Sequence, residues 1–71
     1  MRKYDYVAWK DEGLWTVHSP SVPGVYGVGA TRREAEADFI DALSELLAYL
    51  RDIGESPPKR TQVIAGVVEV G

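Results

Sequence analysis

The feature that most constrains the fold is one stretch with helical periodicity, residues 31–53, in a chain whose other segments favour β-strands. Thr31 and Glu34 have the spacing of a capping box, in which the Thr31 hydroxyl accepts from the Glu34 amide and the Glu34 carboxylate reaches back to the Thr31 amide. Gly54 and the prolines after it predict the end of the helix. Apolar residues recur at intervals of three and four, which predicts one buried stripe. They are Ala35, Phe39, Ala42, Leu43, Leu46, Leu47, Leu50 and Ile53.

Three β-forming segments precede the helix and one follows it. Residues 3–10 and 14–18 flank turn-forming residues at 11–13, which predicts a β-hairpin. Residues 25–29 predict a short third strand, and the two glycines in it indicate that another element passes close by. Residues 61–70 predict a last strand with apolar groups on both faces. The order β-β-β-α-β predicts an α+β fold: a three-stranded antiparallel sheet, one long helix and a C-terminal strand.

The size of the chain indicates how such a fold is stabilised. Its 71 residues form a single domain, residues 1–71, and the absence of cysteine excludes disulfides and thiolate metal sites. One helix covers only one face of a small sheet, so the other face exposes aromatic and valine side chains to water. We therefore expect a homo-oligomer, a dimer or larger, that pairs through the second sheet face or the last strand.

The net charge of −3 is concentrated on the helix. Residues 31–53 contain three arginines and six carboxylates, whereas the rest of the chain contains five basic and five acidic residues. Five of the helix carboxylates fall in one narrow sector of the helical wheel, well away from the apolar stripe. They are Glu34, Asp38, Asp41, Glu45 and Asp52. This sector is either a solvated face, whose first-turn acids suit the helix dipole, or a recognition face for a basic partner.

Residue patterns for other chemistries are missing or weak. The lone histidine, His18, has no second ligand or nucleophile near it in the sequence, which favours a structural or surface role. The glycines at residues 24–29 lack the G-x-G-x-x-G spacing of a dinucleotide loop. No catalytic, cofactor-binding or metal-binding residue is predicted, and we expect the protein not to be an enzyme. A weak metal-dependent nuclease stays open as a third alternative, although nothing in the sequence brings the strand acids Asp5 and Glu69 to the helix acids.

The sequence also bears on where the protein is found. No apolar run approaches the roughly 18 residues needed to cross a bilayer, and the N-terminus lacks the apolar stretch of a signal peptide. A negative net charge argues against nucleic-acid binding. We therefore expect a cytoplasmic protein that contacts neither membrane nor nucleic acid directly.

Two motifs in combination resemble a known protein family. They are Trp15-x-Val17-x-x-Pro20-x-x-Pro23-Gly24-Val25 and Gly29-x-Thr31-x-x-Glu34-Ala35, followed in the helix by Ala42-Leu43. Over about residues 4–58, the chain resembles the HicB-like antitoxin family. The resemblance implies a partial RNase H-like fold without working catalytic carboxylates. It also implies a role in binding and neutralising a small basic HicA-like toxin, an mRNA-cleaving ribonuclease.

On this hypothesis, the acidic helix face pairs with the basic RNA-binding surface of the toxin, and the loop at residues 19–24 forms a second contact. The predicted partner-binding residues are Glu34, Asp38, Asp41, Glu45, Pro20, Pro23 and Gly24. The alternative is a stand-alone oligomeric HicB-like module without a toxin partner. Family antitoxins commonly carry a C-terminal DNA-binding segment, but residues 59–71 are too short for a helix-turn-helix.

Overall fold

Three strands and one helix form the body of the protein. The computed structural model describes residues 2–71. Strands β1 (Val7–Asp11), β2 (Leu14–His18) and β3 (Tyr26–Gly29) form an antiparallel sheet in the order β1-β2-β3, and helix α1 (Arg32–Asp52) packs on one of its faces. The predicted α+β class, the three-stranded antiparallel sheet and the single long helix are confirmed. None of the described residues forms a helix long and apolar enough to span a membrane.

A two-residue turn joins β1 to β2. Glu12 and Gly13 both have positive φ, 51° and 82°. This is the pattern of a type I′ turn, whose twist matches the twist of the flanking strands. Asp11 pairs with Leu14 and so belongs to β1, one residue beyond the predicted end of the strand.

β1 begins at Val7, four residues later than predicted. The side chains before it bond to other parts of the chain. The Tyr4 hydroxyl donates to the Pro58 carbonyl at 2.6 Å, and the Tyr6 hydroxyl donates to the Glu36 carboxylate. The second bond also raises the pKa of the Tyr6 phenol. These long-range bonds hold the N-terminal segment against α1 and the residues that follow it.

The loop between β2 and β3 consists of two consecutive turns. The Val22 amide donates to the Ser19 carbonyl at 3.0 Å, and the Val25 amide donates to the Val22 carbonyl at 3.4 Å. Gly24 has φ 86° and follows a proline, as in a type II turn. Since the Val25 amide closes this turn, β3 begins one residue later than predicted. Ser19 and Val22 are buried, so the loop contributes to the core.

The start of α1 confirms half of the predicted capping box. Thr31 is the N-cap, and its hydroxyl accepts from the Glu34 amide at 3.1 Å. The other half is wrong by one residue, because the Glu34 carboxylate accepts from the Ala30 amide at 3.2 Å. The extended backbone of Thr31 (φ −123°, ψ 159°) is the ordinary conformation of an N-cap residue.

α1 ends in a Schellman motif. The Gly54 amide donates to the Arg51 carbonyl at 3.1 Å, and the Glu55 amide donates to the Leu50 carbonyl at 2.8 Å. Gly54 has φ 78°, the left-handed conformation that this motif requires. The predicted end of the helix is therefore confirmed.

The core lies where α1 crosses β2 and β3. A Cβ atom on Gly27 would overlap the Ala35 carbonyl oxygen, and one on Gly29 would lie 2.6 Å from the Ala35 amide nitrogen. The predicted close approach at these glycines is thus the approach of α1. The buried residues come from β2, the loop and the first half of the predicted stripe, whereas Ile53 at the end of the stripe is half exposed. The core residues are Val17, Val22, Ala35, Phe39 and Leu43, with Leu46 and Leu47 packed against them.

The predicted last strand is not formed. Residues 61–71, called the tail below, take part in no backbone–backbone hydrogen bond in the described chain. Side chains hold its base instead, because the Asp5 carboxylate accepts from the Val63 amide at 2.8 Å and the Ser21 hydroxyl accepts from the Thr61 amide at 2.7 Å. The molecule measures 49 × 26 × 20 Å, and its radius of gyration of 13.9 Å exceeds the roughly 11 Å of a compact chain this long.

The close packing of α1 on β3 predicts a large effect of adding one methyl group at Gly27. Gly27→Ala should lower the free energy of unfolding by about 1–3 kcal/mol, since the backbone of Ala35 cannot yield. Urea denaturation followed by circular dichroism measures this change. The matched control is Gly66→Ala, which adds the same atoms in open space in the tail and should change stability by less than about 0.5 kcal/mol. Equal stability of the two variants would contradict the close approach.

Candidate protein-binding surfaces

The five carboxylates singled out in the sequence lie exposed along α1. We call them the acidic ridge: Glu34, Asp38, Asp41, Glu45 and Asp52. They share one side of the helix because their spacings of three, four and seven residues match the helical repeat. That side faces away from the buried stripe, as the helical wheel predicts.

Two members of the acidic ridge bond to the backbone of the preceding segment. Glu34 accepts from the Ala30 amide, and one Asp38 carboxylate oxygen accepts from the Val28 amide at 2.9 Å. β3 is an edge strand, so its outward amides would otherwise be open to another chain. Asp38 therefore satisfies a donor at this edge and obstructs strand pairing there.

The middle of the acidic ridge carries charge without a local partner. Within residues 2–71, Asp41 and Glu45 take part in no side-chain hydrogen bond and no salt bridge. They lie one helical turn apart, where like charges destabilise a helix by a few tenths of a kcal/mol. At the end of the ridge, Asp52 is 4.0 Å from the Arg51 guanidinium, in an exposed pair of little energetic weight. Within the acidic ridge, Asp41 and Glu45 are thus the carboxylates most available to a cation from outside.

The predicted loop contact lies beside the second half of α1. Pro20, Pro23 and Gly24 are exposed, whereas Val22 between them is buried in the same cluster as Leu43. Its two turns and the buried Val22 side chain hold the loop in its conformation. Its exposed residues therefore form a rigid surface, and their role as a contact stays a prediction.

The face of the sheet opposite α1 is uncovered, as predicted from the single helix. Cross-strand pairing aligns Val7 with His18 and Tyr26 in one row, and Trp9 with Thr16 and Val28 in the next. The alternate rows contain the glycines that touch α1, so these two rows point away from it. Asp11 and Leu14 form a third row on the same side, at the hairpin end. We call this surface the open face: Val7, Trp9, Asp11, Leu14, Thr16, His18, Tyr26 and Val28. Its larger apolar side chains are between 41% and 53% exposed.

Three rings pack together across the open face. The His18 imidazole lies 5.4 Å from the Trp9 ring in an edge-to-face arrangement and 5.4 Å from the Tyr26 ring. Edge-to-face and tilted geometries are the arrangements that aromatic side chains favour when they pack together. His18 is therefore part of an aromatic surface on the sheet. Among the described residues, no group of three metal-ligating side chains is close enough to hold an ion.

The base of the tail is held at Asp5. Its carboxylate accepts from the Arg60 guanidinium and from the Val63 amide, and these bonds lower the pKa of Asp5 below its usual value of 3.8. Asp5 is one of the two strand acids considered for a metal site. Its partners direct it to the tail instead of to the carboxylates of α1.

Sequence reasoning missed the anchoring of the tail. Asp5 and Arg60 are 55 residues apart, and no local pattern links them. The only signal in the sequence was that the N-terminal segment contains an acid, Asp5, and the segment after the helix contains bases such as Arg60. Such a signal cannot select one partner among several.

Comparison of the chain with protein-family models, with curated proteins and with solved structures finds no match.

The Asp5 anchor predicts a pH-dependent attachment of the tail. A pKa lowered in the folded state means that the anchor is intact above about pH 3.8 and is lost as the pH falls through the folded-state pKa of Asp5. Titration of the Asp5 carboxyl carbon and the Val63 amide by nuclear magnetic resonance should show both signals changing together below pH 3.8.

The substitution Arg60→Gln should raise the pKa of Asp5 toward 3.8, because the guanidinium is the largest cause of its lowering. Lys59→Gln is the matched control, since it removes the same charge from the neighbouring position. An equal shift in both variants would show that general electrostatics, and not this hydrogen bond, lowers the pKa.

Proposed function

We propose that this protein is an antitoxin-like binding module that neutralises a small basic HicA-like mRNA-cleaving toxin through protein–protein contacts. The observation that carries the proposal is the acidic ridge, in which Asp41 and Glu45 are exposed and unpaired. The resemblance of the loop and helix-start motifs to HicB-like antitoxins supports the same proposal. No catalytic step by this chain is involved.

The energetics of the acidic ridge support a role in recognition. The neighbouring carboxylates of Asp41 and Glu45 destabilise the helix by mutual repulsion, and no bond within the described chain offsets this. A cationic surface placed over them converts this repulsion into attraction, which accelerates encounter and selects basic partners. A ribonuclease that binds RNA needs such a cationic surface for its substrate. Covering it with the ridge would exclude the RNA by both charge and bulk.

The fold offers the partner two fixed elements. α1 is held by the close contact at Gly27 and by caps at both ends, and the loop is held by buried Val22. Rigid elements lose little conformational entropy on binding. We propose that Pro20, Pro23 and Gly24 form the second contact beside the ridge. We also propose that the body is a partial RNase H-like fold, to which the tail contributes a strand on assembly.

A second candidate function is a stand-alone homo-oligomeric module without a toxin partner. The observation that favours it is the amount of apolar surface on the open face and the tail, where Ile64, Val67, Val68 and Val70 are 85–99% exposed. Surfaces of this kind mark association sites. Self-association is compatible with both candidates, so the basic partner distinguishes them.

Charge reversal on the acidic ridge tests the proposal. The double substitution Asp41→Lys and Glu45→Lys should weaken binding to a short basic protein encoded by a neighbouring reading frame by about tenfold or more at low salt. Binding is measured by calorimetry on the co-purified pair, and inhibition of RNA cleavage by the same protein provides the functional readout. The wild-type affinity should fall as salt is raised, because the contact is electrostatic.

The matched control is the double substitution Glu12→Lys and Glu55→Lys, which changes the net charge equally at exposed positions off the ridge. This control should bind within about threefold of the wild type, since only long-range charge is altered. Equal losses in both variants, or no loss in the ridge variant, would remove the ridge mechanism. If no neighbouring basic protein co-purifies, the stand-alone module is favoured instead.

A further inference from the structure

We propose that the open face and the tail form one interface, and that its partner is a second copy of this chain. The inference deepens the self-association proposed above by assigning the surface that makes it. It requires no basic partner and leaves the acidic ridge uncovered.

The alternation of the tail gives it two apolar sides. Val63, Ala65 and Val67 lie on one side when the segment is extended, and Ile64, Val68 and Val70 lie on the other. Strands that are apolar on both sides occur where both faces of a sheet are covered. In this chain, α1 covers one face of the sheet and no element covers the other.

The position of the tail beside β1 indicates which of its two sides lies toward α1 and which lies toward the open face. Val63 and Ala65 line a hollow at the β1 edge together with Ala8 and Trp15 of the rows that face α1, with Arg32 of α1 itself, and with Val7 of the open face. Because Ala8, Trp15 and Arg32 lie on the α1 side, an extended tail would direct its alternate residues toward the side of the open face. They would extend the apolar surface of that face beyond β1.

Of the two sheet edges within residues 2–71, the β1 edge is the more open to an added strand. At the opposite edge, the Asp38 carboxylate holds the Val28 amide. The tail starts next to β1, where Asp5 holds the Val63 amide. A strand added at β1 would pair the backbone groups of the tail, which have no backbone partners in the single chain. Even then, the side of the tail that holds Val68 would remain exposed until a second copy covers it.

The apolar area of this surface matches the requirement of a homodimer. The half-exposed side chains of the open face and the almost fully exposed ones of the tail amount to about 600 Å² of apolar surface per copy, at roughly 60–120 Å² for an aliphatic side chain. A standard interface buries about 800 Å² per partner, and about 65% of a homodimer interface is apolar. One copy therefore supplies about the apolar area that a stable dimer needs.

Charge also favours a second copy. Asp11, at the hairpin end beside Leu14, is the one charged residue on the open face, and Glu69 is the one charged residue in the tail. A two-fold pairing that leaves the exposed Asp11 at the rim buries no unpaired charge on the sheet. The acidic ridge lies on the opposite side of the molecule, so the ridges of two copies would be separated by both sheets and both helices. That distance is several times the Debye length of about 8 Å in physiological salt, so their repulsion is screened.

Sedimentation equilibrium tests the proposal on the whole protein. The wild type should have twice the chain mass of 7.8 kDa at concentrations of about 10 μM. Val68→Asp in the tail and Val28→Asp on the open face should each raise the dissociation constant about tenfold or more, because each places a carboxylate in the apolar interface. Ser44→Asp is the matched control, since it adds the same charge at an exposed position on α1 and should leave the dissociation constant unchanged.

A second readout reports on the open face directly. In a Trp15→Phe background, Trp9 is the only tryptophan, and its emission should shift to longer wavelength as the dimer is diluted into monomers. Circular dichroism checks that each variant is folded, and Leu14→Asp replaces Val28→Asp if the latter unfolds. Val68 makes no core contact, so its substitution tests association without endangering the fold.

Two results would overturn the inference. One is a monomeric mass for the wild type at all concentrations up to about 1 mM, and the other is a dimer that survives either substitution with the wild-type dissociation constant. Failure of the proposed toxin binding is a separate outcome. The ridge variant with Asp41→Lys and Glu45→Lys should dimerise like the wild type, so a loss of partner binding with an intact dimer counts only against the proposed function.

Discussion

The contact between α1 and β3 is the constraint on which the rest of the structure depends. Gly27 and Gly29 have no side chains, and the backbone at Ala35 occupies the space that their Cβ atoms would need. The helix therefore lies directly on the strand, with Phe39 reaching over it into the core. This contact commits the apolar stripe of α1 to one face of the sheet. With one helix in the chain, the same contact leaves the other face uncovered and turns the acidic ridge outward.

The carboxylates of the acidic ridge differ in their bonding because the backbone next to each of them differs. Glu34 and Asp38 lie next to backbone amides that lack partners, and they complete the helix start and close the edge of β3. Asp41 and Glu45 lie beyond the end of that strand segment and have no such amide within reach. Helical spacing alone makes the four residues look equivalent. The neighbouring backbone distinguishes them: Glu34 and Asp38 bond to it, whereas within residues 2–71 Asp41 and Glu45 do not.

Features with local causes could be predicted from the sequence, and features with distant causes could not. The bounds of β2, the Thr31 cap and the Gly54 helix end follow from residues within one turn of each other, and the structure confirms them. The start of β1 and the base of the tail depend on bonds that span 54 to 58 residues. The prediction of a last strand at residues 61–70 was wrong for a related reason. Valine-rich sequence favours an extended backbone, but a strand also needs an edge to pair with.

The open face and the acidic ridge differ in the physics by which each would bind a partner. A partner on the open face and the tail would bury apolar area, so we expect association there to depend little on salt. A partner on the acidic ridge would bind through charge, so we expect its contacts to weaken as salt rises. Because the sheet and α1 separate the two surfaces, occupying one does not obstruct the other. A dimer joined through the open faces would present two ridges pointing outward. Each ridge could then take a basic partner independently, unless both partners are joined, in which case binding gains from the raised effective concentration.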